Sequence, residues 1–411
     1  MRRTFKFRIY PSKNQKLRMN KQLNQAKEIY NHLLEKANEK YKSERKMLTK
    51  FDMNKYITGF KTSYPDYQEI HSQVLQNISD RLSKAFSNFF KRVKRKKTGE
   101  KIKAGFPRFK KCVKSMTYPQ SGFELLENQH MRLSKIGCIP IVLHRPLEGK
   151  IKTFTLKKTQ SGKWFAIFSC ESSISDSTVT TAVPVSSKRI GIDVGIEHFA
   201  TLSNGDTIQN PRFLMESESK LKKLQRKVSR KKKRSRNRIK AIFRLAGLHE
   251  KIADQRNDFL HKMSRKLTGE YSFIAVENLR ISRMLHNSYH SLSKHISDAS
   301  WNSFIQMLSY KASSAGGKVV CVNPKGTSQE CSSCGQVVEK TLAVRKHNCP
   351  HCGLNVSRDH NAAINILKRA ELTAGLAGIY ACGDQANTLP LNGRASRVKE
   401  AGTICDIQLD N

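Results

Sequence analysis

Acidic residues are scarce in this sequence, long apolar runs are missing, and each absence narrows what the chain can be. The 411 residues include 33 acidic side chains against 76 lysines and arginines, which gives a formal net charge of +43. No apolar run approaches the roughly 20 residues of a membrane span. The first residues, 1–4, do not begin the apolar stretch of a signal peptide. We therefore expect a cytoplasmic protein with no membrane partner.

A cysteine framework of the kind that staples small secreted proteins is also missing. Six of the ten cysteines stand alone along the chain, which suits a reducing compartment rather than a set of disulfides. We expect these six to be small buried or incidental thiols. They are Cys112, Cys138, Cys170, Cys321, Cys382 and Cys405.

The excess of positive charge is the first feature that points to a partner. A protein with a net charge of +43 binds a polyanion, and its affinity falls with salt as counterions are released. A polybasic protein on a membrane surface would share this composition, but the sequence has no apolar run to anchor it. Nucleic acid is the favoured partner.

The amino-terminal part alternates between strand and helix patterns. Residues 5–10 alternate like a strand, and residues 13–41 and 72–93 repeat apolar side chains at helical spacing. Short strands follow to residue 171 and predict a small β-barrel, which the first strand could join. Residues 172–187 are rich in serine and threonine and are typical of a linker.

Beyond the linker the pattern changes to α/β. The Asn204-Gly205 turn is a strong hairpin signal, and residues 216–267 predict one long helical stretch. Further strands are predicted at 189–195, 271–277 and 318–322, and further helices at 301–312 and from 361. From about residue 375 the composition is typical of a loose tail.

Three acidic residues stand where an ionised side chain is costly. Asp193 interrupts an apolar strand between two glycines, Glu277 ends another apolar strand, and Asp359 precedes an apolar helix. Bound Mg²⁺ would compensate these charges, because this hard cation prefers carboxylate oxygens. Two such ions about 4 Å apart could activate a water and stabilise the leaving oxygen of a phosphodiester. Asp193 would then contact both ions, and each of the other acids one.

Two of these acids also have ordinary structural interpretations. Asp359 could cap its helix, which aspartate does well, and Glu277 could be a surface acid at the end of a strand. Asp193 is harder to explain in this way. The three together, in the order strand, strand, helix, favour a catalytic site.

The remaining cysteines form two close pairs with 14 residues between them, a spacing typical of a zinc ribbon. The pairs are Cys331 with Cys334 and Cys349 with Cys352. Gly335 and Gly353 follow them and allow the backbone to turn around a tetrahedral ion. His347 or His351 could replace one thiolate, but four sulfurs already complete the shell. Such a zinc ion is structural rather than catalytic.

Four of these segments resemble signatures of the TnpB (OrfB) family, which bacterial insertion sequences encode and which is related to type V CRISPR effectors. The segments are Gly191-Ile-Asp-Val-Gly, Val276-Glu-Asn-Leu279, Thr327-Ser-Gln-Glu-Cys-Ser-Ser-Cys-Gly335 and Arg358-Asp-His-Asn-Ala-Ala363. Weaker likenesses at 5–11, 105–110 and 375–383 extend the resemblance over nearly the whole chain.

The resemblance implies a multidomain α/β and α+β protein. It would contain a RuvC-like nuclease domain of RNase H fold with an inserted zinc ribbon, an N-terminal wedge β-barrel and a helical recognition lobe. The expected boundaries are 1–11 and 101–180 for the wedge barrel, 12–100 for the recognition domain, 187–325 and 355–372 for the nuclease domain, 326–354 for the ribbon, and 373–411 for a flexible tail.

The resemblance further implies an RNA-guided DNA endonuclease, with Asp193, Glu277 and Asp359 matching the three catalytic acids. Its partners would be a guide RNA from the end of the transposon and double-stranded target DNA, which is cut beside a short target-adjacent motif. Its cofactors would be two catalytic Mg²⁺ ions and one structural Zn²⁺. We expect a monomer on one RNA that associates with the nucleoid when it is on DNA.

The densest basic run lies between residues 220 and 240 and has almost no acidic partners for pairing within a helix. A charge run is usually a solvated face, but this one favours contact with phosphates, with sequence reading left to base pairing. The residues that we expect to make such contacts are Lys222, Lys223, Arg226, Arg230, Lys231, Arg234 and Arg238.

A second set of candidate nucleic-acid contacts opens the helix predicted at 72–93. By the family resemblance Ser72, Gln73 and Gln76 lie near the target-adjacent motif, where polar side chains could read a groove. Helix capping and ordinary surface amides explain these residues equally well.

Two other functional classes remain open. The chain could be a zinc-ribbon regulator or transposition accessory that binds nucleic acid without cutting it, although the intact acids disfavour this. It could also be a transposase that needs no RNA. The sequence does not separate a transposon protein from a small CRISPR effector.

Overall fold

The computed structural model describes residues 2–100, 102–171, 187–287, 289–341 and 343–375. Contacts between Cα atoms divide these residues into two units: 2–171 with 231–243, and 187–230 with 244–375. Within the described ranges no helix is both long enough and apolar enough to span a bilayer. The predicted linker falls almost wholly on residues outside these ranges, as does the predicted tail beyond 375.

The first unit contains a seven-stranded antiparallel sheet of near-barrel form. The order along the sheet is β2-β6-β7-β1-β5-β4-β3. The first strand of the chain therefore joins this sheet, as the sequence predicts, and lies at its centre. Alternate side chains of β1 (Phe5, Phe7 and Ile9) are buried in the core. The strands are β1 (Arg2–Ile9), β2 (Ser115–Tyr118), β3 (Phe123–Leu126), β4 (His130–Leu133), β5 (Gly137–Val142), β6 (Lys150–Lys158) and β7 (Trp164–Glu171).

Three helices of the first unit pack beside this sheet. They are α1 (Lys13–Glu44), α2 (Lys50–Ser63) and α3 (Ser72–Lys97). Helices α1 and α3 confirm the two predicted helices, and α2 is an addition that the apolar pattern did not reveal. Helix α1 begins with a capping box, in which the Ser12 hydroxyl accepts from the Gln15 backbone N–H and the Gln15 side chain accepts from the Ser12 N–H.

The second unit contains a mixed five-stranded sheet in the order β10-β9-β8-β11-β12. The first three strands pair antiparallel as a meander, and β11 and β12 continue the sheet in parallel. The strands are β8 (Arg189–Val194), β9 (His198–Leu202), β10 (Thr207–Gln209), β11 (Phe273–Glu277) and β12 (Lys318–Val322). The predicted hairpin at Asn204-Gly205 is confirmed, since β9 and β10 flank it.

The helices of the second unit lie on both faces of this sheet. One face packs against side chains of α5, α7 and α8, and the other against Ile366 and Ala370 of α9. A small hairpin of β13 (Lys346–Asn348) and β14 (Asn355–Ser357) precedes α9. The helices are α4 (Phe213–Ser229), α5 (Arg236–Glu270), α6 (Ile281–Asn287), α7 (His290–Ala299), α8 (Trp301–Ser314) and α9 (Arg358–Gly375). The start of α5, to residue 243, is grouped with the first unit, and the rest of it with the second.

The prediction of one long helical stretch over residues 216–267 is wrong in one respect. The chain leaves the helix after Ser229, and α5 starts at Arg236, where the Ser235 hydroxyl accepts from the Arg238 N–H. Five consecutive cations, 230–234, occupy the break. Like charges one helical turn apart repel each other, and Arg234 takes a left-handed conformation with φ of 67°.

The single cysteines conform only in part to the expectation of free thiols. Cys112, Cys138 and Cys170 are free, and Cys170 is buried in the sheet core. Cys321 is disulfide-bonded, so the expectation is wrong at this position. Cys382 and Cys405 lie outside the described residues.

Candidate active site

Gly191 marks the face of the second sheet that α9 covers. A Cβ atom at this position would lie 2.1 Å from the carbonyl oxygen of Ala363 and 2.9 Å from the Cβ of Leu367, so only glycine lets the helix approach this closely. Side chains alternate along a strand. Asp193, two residues further on, therefore points to the same face.

The register of the parallel pair brings Glu277 beside Asp193. Ala275 pairs with Gly191 and Val276 with Ile192, so the next position on each strand carries an acid. Ala275 packs with Ile366 and Ala370 of α9, which confirms that this face of β11 is the one that α9 covers. Glu277 lies on it as well, because it is two residues beyond Ala275.

The third acid reaches this face from the helix. Asp359 lies four residues before Ala363, about one turn, and therefore on the same side of α9. Two residues of a strand span about 6.6 Å and four residues of a helix about 6 Å. The step from Gly191 to Asp193 thus matches the step from Ala363 to Asp359, and the Asp359 carboxylate acts electrostatically on Asp193.

Asp193 is the carboxyl group whose pKa the other two acids raise. Burial raises its pKa well above the usual range, and the carboxylates of Glu277 and Asp359 raise it further. Arg358 opposes them, and its Nε lies 3.2 Å from Oδ1 of Asp359. A divalent cation on this face would relieve both the burial cost and the mutual repulsion. The environment of Asp193 therefore fits a cation-binding role.

Glu277 has a buried hydrogen-bond partner that the sequence did not reveal. Only 8% of its surface is exposed, and burial raises its pKa. The hydroxyl of Thr327 donates to its Oε1 over 2.5 Å and acts in the opposite direction, as does the charge of Arg369. The side chain is therefore fixed by a contact from a residue 50 positions away.

The four paired cysteines converge as the spacing predicts. Their sulfur atoms lie within 4.8 Å of one another, and Cys331 to Cys352 and Cys334 to Cys349 are each 3.6 Å apart. Sulfurs about 2.3 Å from a tetrahedral zinc ion would be separated by about this distance. Within the described residues this is the one such group of potential metal ligands.

Each cysteine pair is carried by the same backbone turn. The N–H of Gly335 donates to the carbonyl of Cys331, and the N–H of Gly353 donates to that of Cys349. Both glycines have a positive φ, 77° and 72°, which favours glycine at these positions. This repeated turn explains why a glycine follows each cysteine pair.

One of the two nearby histidines supports this cluster from outside. His347 is fully buried on β13. The pKa of the Cys331 thiol is lowered: burial raises it, but the backbone N–H groups of Cys334 and Ser333, and after them His347, act in the opposite direction. The Nδ1 of His347 contacts the Lys340 ammonium group. His351 is exposed in the turn between Cys349 and Cys352. The four sulfurs remain the complete donor set.

Two buried asparagines join the cysteine cluster to α9, and sequence analysis missed both. Asn361 accepts from the N–H of Ser332 over 2.8 Å and donates to the carbonyl of Glu330 over 2.7 Å. Asn365, one turn later, donates to the carbonyls of Thr327 and Glu330. Their spacing of four residues on a helix was the signal that could have identified them.

Helix α9, which carries Asp359, is also connected to strand β8 of the second sheet. His360 Nε2 lies 3.1 Å from the carbonyl oxygen of Ser203. Ser203 in turn exchanges hydrogen bonds with both backbone groups of Gly191. His360, the residue next to Asp359, is thus connected through Ser203 to β8, the strand that carries Asp193.

The predicted basic contacts are mostly exposed. Lys222, Lys223 and Arg226 project from α4, and Lys222 pairs with Glu218 one turn earlier. Arg238 differs, since it is half-buried and donates to the carbonyl of Lys231, which gives it a structural role in the turn before α5. The other predicted contacts, in the segment between the helices, are the exposed residues Arg230, Lys231 and Arg234.

The polar residues at the start of α3 do not share one environment. Gln73 accepts through its side-chain oxygen from the backbone N–H groups of Gln120 and Ser121, which fixes the turn before β3. Ser72 and Gln76 are exposed. For Gln73 the structural interpretation thus has direct support.

Three family models match separate parts of the chain. Residues 170–288 match OrfB_IS605, described as "Probable transposase", and residues 301–366 match a Cas12f1-like TNB domain. Residues 1–46 match a helix-turn-helix domain of OrfB_IS605. The described residues of that last segment form β1 and one continuous helix, so its structure departs from the description.

Two solved structures resemble the chain weakly. The cryo-EM structure of a Cas12f1–sgRNA–target DNA complex matches at 16% identity and a TM-score of 0.33, covering 89% of this chain and 99% of that one. The mini-RNA-guided endonuclease CRISPR-Cas_phi3 matches at 12% identity and a TM-score of 0.47, covering 92% and 94%. These TM-scores are too low for either likeness to bear on the fold.

The similarity to curated proteins extends over almost the whole chain. A "Putative RNA-guided DNA endonuclease" of Streptomyces pristinaespiralis is 35% identical over 393 residues, which cover 93% of this chain and 92% of the relative. "Putative RNA-guided DNA endonuclease InsQ" of Escherichia coli K12 is 30% identical over 402 residues, covering 93% and 94%. The mimivirus TnpB-like protein L79 matches at 26% identity over 54% of this chain and 44% of its own length. With such identity over nearly the full length of two relatives, this chain belongs to the TnpB (OrfB) family.

Proposed function

We propose that this chain is an RNA-guided DNA endonuclease of a transposable element that hydrolyses phosphodiester bonds of double-stranded DNA with two Mg²⁺ ions. The observation that carries the proposal is the convergence of Asp193, Glu277 and Asp359 on the face of the second sheet beneath α9. The two relatives that match over nearly their full length bear names of this activity.

The second unit would be the RuvC-like domain of RNase H fold, with residues 326–354 as its zinc ribbon. Its mixed sheet, with helices on both faces, supports this assignment. The first unit would combine the wedge barrel with the helical recognition lobe. Its near-barrel sheet and long helices agree with that division.

The residues of the acid face have distinct tasks in this proposal. Asp193 would hold both ions, because its carboxylate is the one on which the other two act, while Glu277 and Asp359 would hold one ion each. When bound, Mg²⁺ supplies an activated water and stabilises the leaving oxygen.

The cysteine cluster would hold zinc for a structural purpose. Four sulfurs leave no coordination position open, so the site contributes no chemistry of its own. Through Asn361 and Asn365 it would keep residues 327–332 against α9, which carries the third acid.

The basic residues would bind the guide RNA and its hybrid with the target strand. Exposed cations on α4 and in the segment before α5 can contact phosphates without reading sequence. Base pairing would select the target, and the exposed Ser72 and Gln76 could contribute to the reading of a target-adjacent motif. We further propose that one protein acts on one RNA.

A direct test is cleavage of matched duplex DNA by the protein purified with its own RNA. We expect cutting that needs Mg²⁺ and a DNA sequence complementary to the RNA. A protein that binds the duplex tightly but leaves it intact at every Mg²⁺ concentration would instead be the nuclease-independent regulator.

A further inference from the structure

Thr327 lies between the cysteine cluster and the acid face. Its exposed fraction is 3%, and its hydroxyl contacts Oε1 of Glu277 at 2.5 Å and the carbonyl oxygen of Pro324 at 3.1 Å. A hydroxyl has one proton to donate. An ionised carboxylate is the stronger acceptor, and the shorter distance is to Glu277. The Thr327 hydroxyl therefore donates its proton to Glu277 rather than to the Pro324 carbonyl.

The backbone of Thr327 is held as firmly as its side chain. Its carbonyl oxygen accepts from Asn365 Nδ2 over 2.9 Å, and the same amide donates to Glu330 over 2.7 Å. Asn365 lies on α9, which also carries Asp359. One helix therefore holds the third acid directly and Glu277 through Thr327.

This contact fixes the orientation of the carboxylate. A glutamate at the end of a strand can rotate about three side-chain bonds, and a bond to Oε1 restricts that rotation while leaving Oε2 to act as a ligand. Partners of this kind orient metal ligands, and their loss costs about 10- to 100-fold in metal affinity or activity.

We propose that Thr327 is a positioning residue, whose hydroxyl holds the Glu277 carboxylate in the orientation that metal binding and DNA cleavage require. The inference rests on the proposed nuclease function. It adds a role for the segment that leads into the cysteine cluster. The competing explanation is that the bond merely satisfies a buried hydroxyl and contributes only to folding.

The test compares Thr327→Val, which keeps the shape of the side chain but loses the hydroxyl, with Thr327→Ser, which keeps the hydroxyl. Thr268→Val is the matched control, because its hydroxyl donates to the Ser264 carbonyl within α5. In single-turnover cleavage at saturating DNA, we expect Thr327→Val to be about 10- to 100-fold slower. Thr327→Ser should retain most of the rate, and Thr268→Val should match the native protein.

A second readout does not depend on cleavage. The Mg²⁺-induced rise in melting temperature of the full chain should be smaller in Thr327→Val than in Thr327→Ser. In a Glu277→Gln background, adding Thr327→Val should not reduce the Mg²⁺-induced rise in melting temperature any further, because a residue that acts through Glu277 has no independent effect. Additive losses in the double variant would mean that Thr327 contributes through the fold alone.

The outcomes separate this inference from the proposed function. If the native protein cleaves and Thr327→Val cleaves equally fast, the positioning role is wrong and the nuclease assignment stands. A parallel loss of RNA or DNA binding in Thr327→Val would also overturn it. If the native protein does not cleave matched DNA, the nuclease assignment fails, and the Mg²⁺-induced shift still decides whether Thr327 supports a metal site.

Discussion

Side chains of like charge are concentrated in two places in this protein, carboxylates in one and cations in the other. At the acid face, the carboxylates of Glu277 and Asp359 repel that of Asp193, and burial raises the pKa of Asp193 and of Glu277. On α4, by contrast, lysines and arginines accumulate with few carboxylates nearby. Each arrangement is unfavourable in the isolated chain, and each is relieved by a partner of opposite charge, a cation in the first case and a phosphate in the second.

Substitution of Asp193 tests the role of the acid face in cation binding and cleavage. We expect Asp193→Ala to lower the cleavage rate on the order of a thousandfold or more, since metal ions contribute several kcal/mol to such reactions. RNA binding should be unchanged. Cleavage and RNA-binding assays on the same preparation measure both effects.

The matched control is Asp258→Ala, which removes an exposed acid that pairs with Lys262 one turn later in α5. Native-like cleavage by this variant would exclude a general effect of charge. If Asp193→Ala still cut the matched duplex, the assignment of the acid face would have to be withdrawn.

At the scale of elements, sequence pattern predicted those parts that depend on local periodicity. Strands β8 and β12 were anticipated almost to the residue, because their β-branched apolar runs stand out from the surrounding sequence. Helix α2 was missed, since only Met53 and Ile57 are buried in it. Its capping box of Thr49 and Asp52 was a usable signal.

The contacts that complete the site were beyond sequence analysis for a different reason. Thr327 and Glu277 are 50 residues apart, and nothing local in either segment indicates that they meet. Asn361 is only two residues from Asp359, but its partners lie in the segment of the cysteine cluster. Such pairings follow from tertiary packing, which a single sequence does not specify.

Removal of zinc should loosen one element and its attachments. Cys349→Ser, or chelation, is expected to reduce the zinc content from about one ion per chain and to increase proteolysis within residues 326–353, because the ion supplies the folding energy of such a site. The exposed free thiol Cys138 provides the control Cys138→Ser. Unchanged proteolysis after complete loss of zinc would contradict the assignment of a structural ribbon.

The buried amides on α9 offer a second test at this scale. Asn361→Ala removes both hydrogen bonds to the segment of the cysteine cluster and leaves the Ser332 N–H without its partner. The cost should be about 1–3 kcal/mol. Amide hydrogen exchange should report it as faster exchange in residues 327–335, with β1 of the first unit as the unaffected reference. Equal protection in both proteins would show that the cluster is held by its metal alone.

The basic segment between α4 and α5 is an element whose role is testable by salt dependence. The double substitution Lys231→Ala and Arg234→Ala should weaken RNA binding and reduce the slope of log affinity against log salt by about 0.7 for each lost contact with single-stranded RNA. Lys262→Ala, an exposed cation already paired with Asp258, should leave the slope unchanged. An unaltered slope in the double variant would place the RNA elsewhere.

For the whole molecule, the decisive quantity is a net charge of +43 on 411 residues. Such a protein binds nucleic acid of any sequence through its phosphates, so affinity for DNA alone does not distinguish a guided nuclease from an unguided transposase or a regulator. The distinction lies in where the sequence information resides. In a guided enzyme it resides in the RNA, and the protein contributes grip, chemistry and the recognition of a short motif.

Ribonuclease treatment therefore provides the final prediction. We expect the purified protein to carry RNA, and we expect digestion of that RNA to abolish cleavage of matched DNA while sequence-independent binding at low salt persists, because the basic surface remains. Renewed cleavage after addition of the intact RNA, and none after addition of an RNA with a scrambled guide segment, would confirm guidance. Cleavage that survives digestion would identify an RNA-free transposase, because the acid face would then act on DNA that the protein selects by itself.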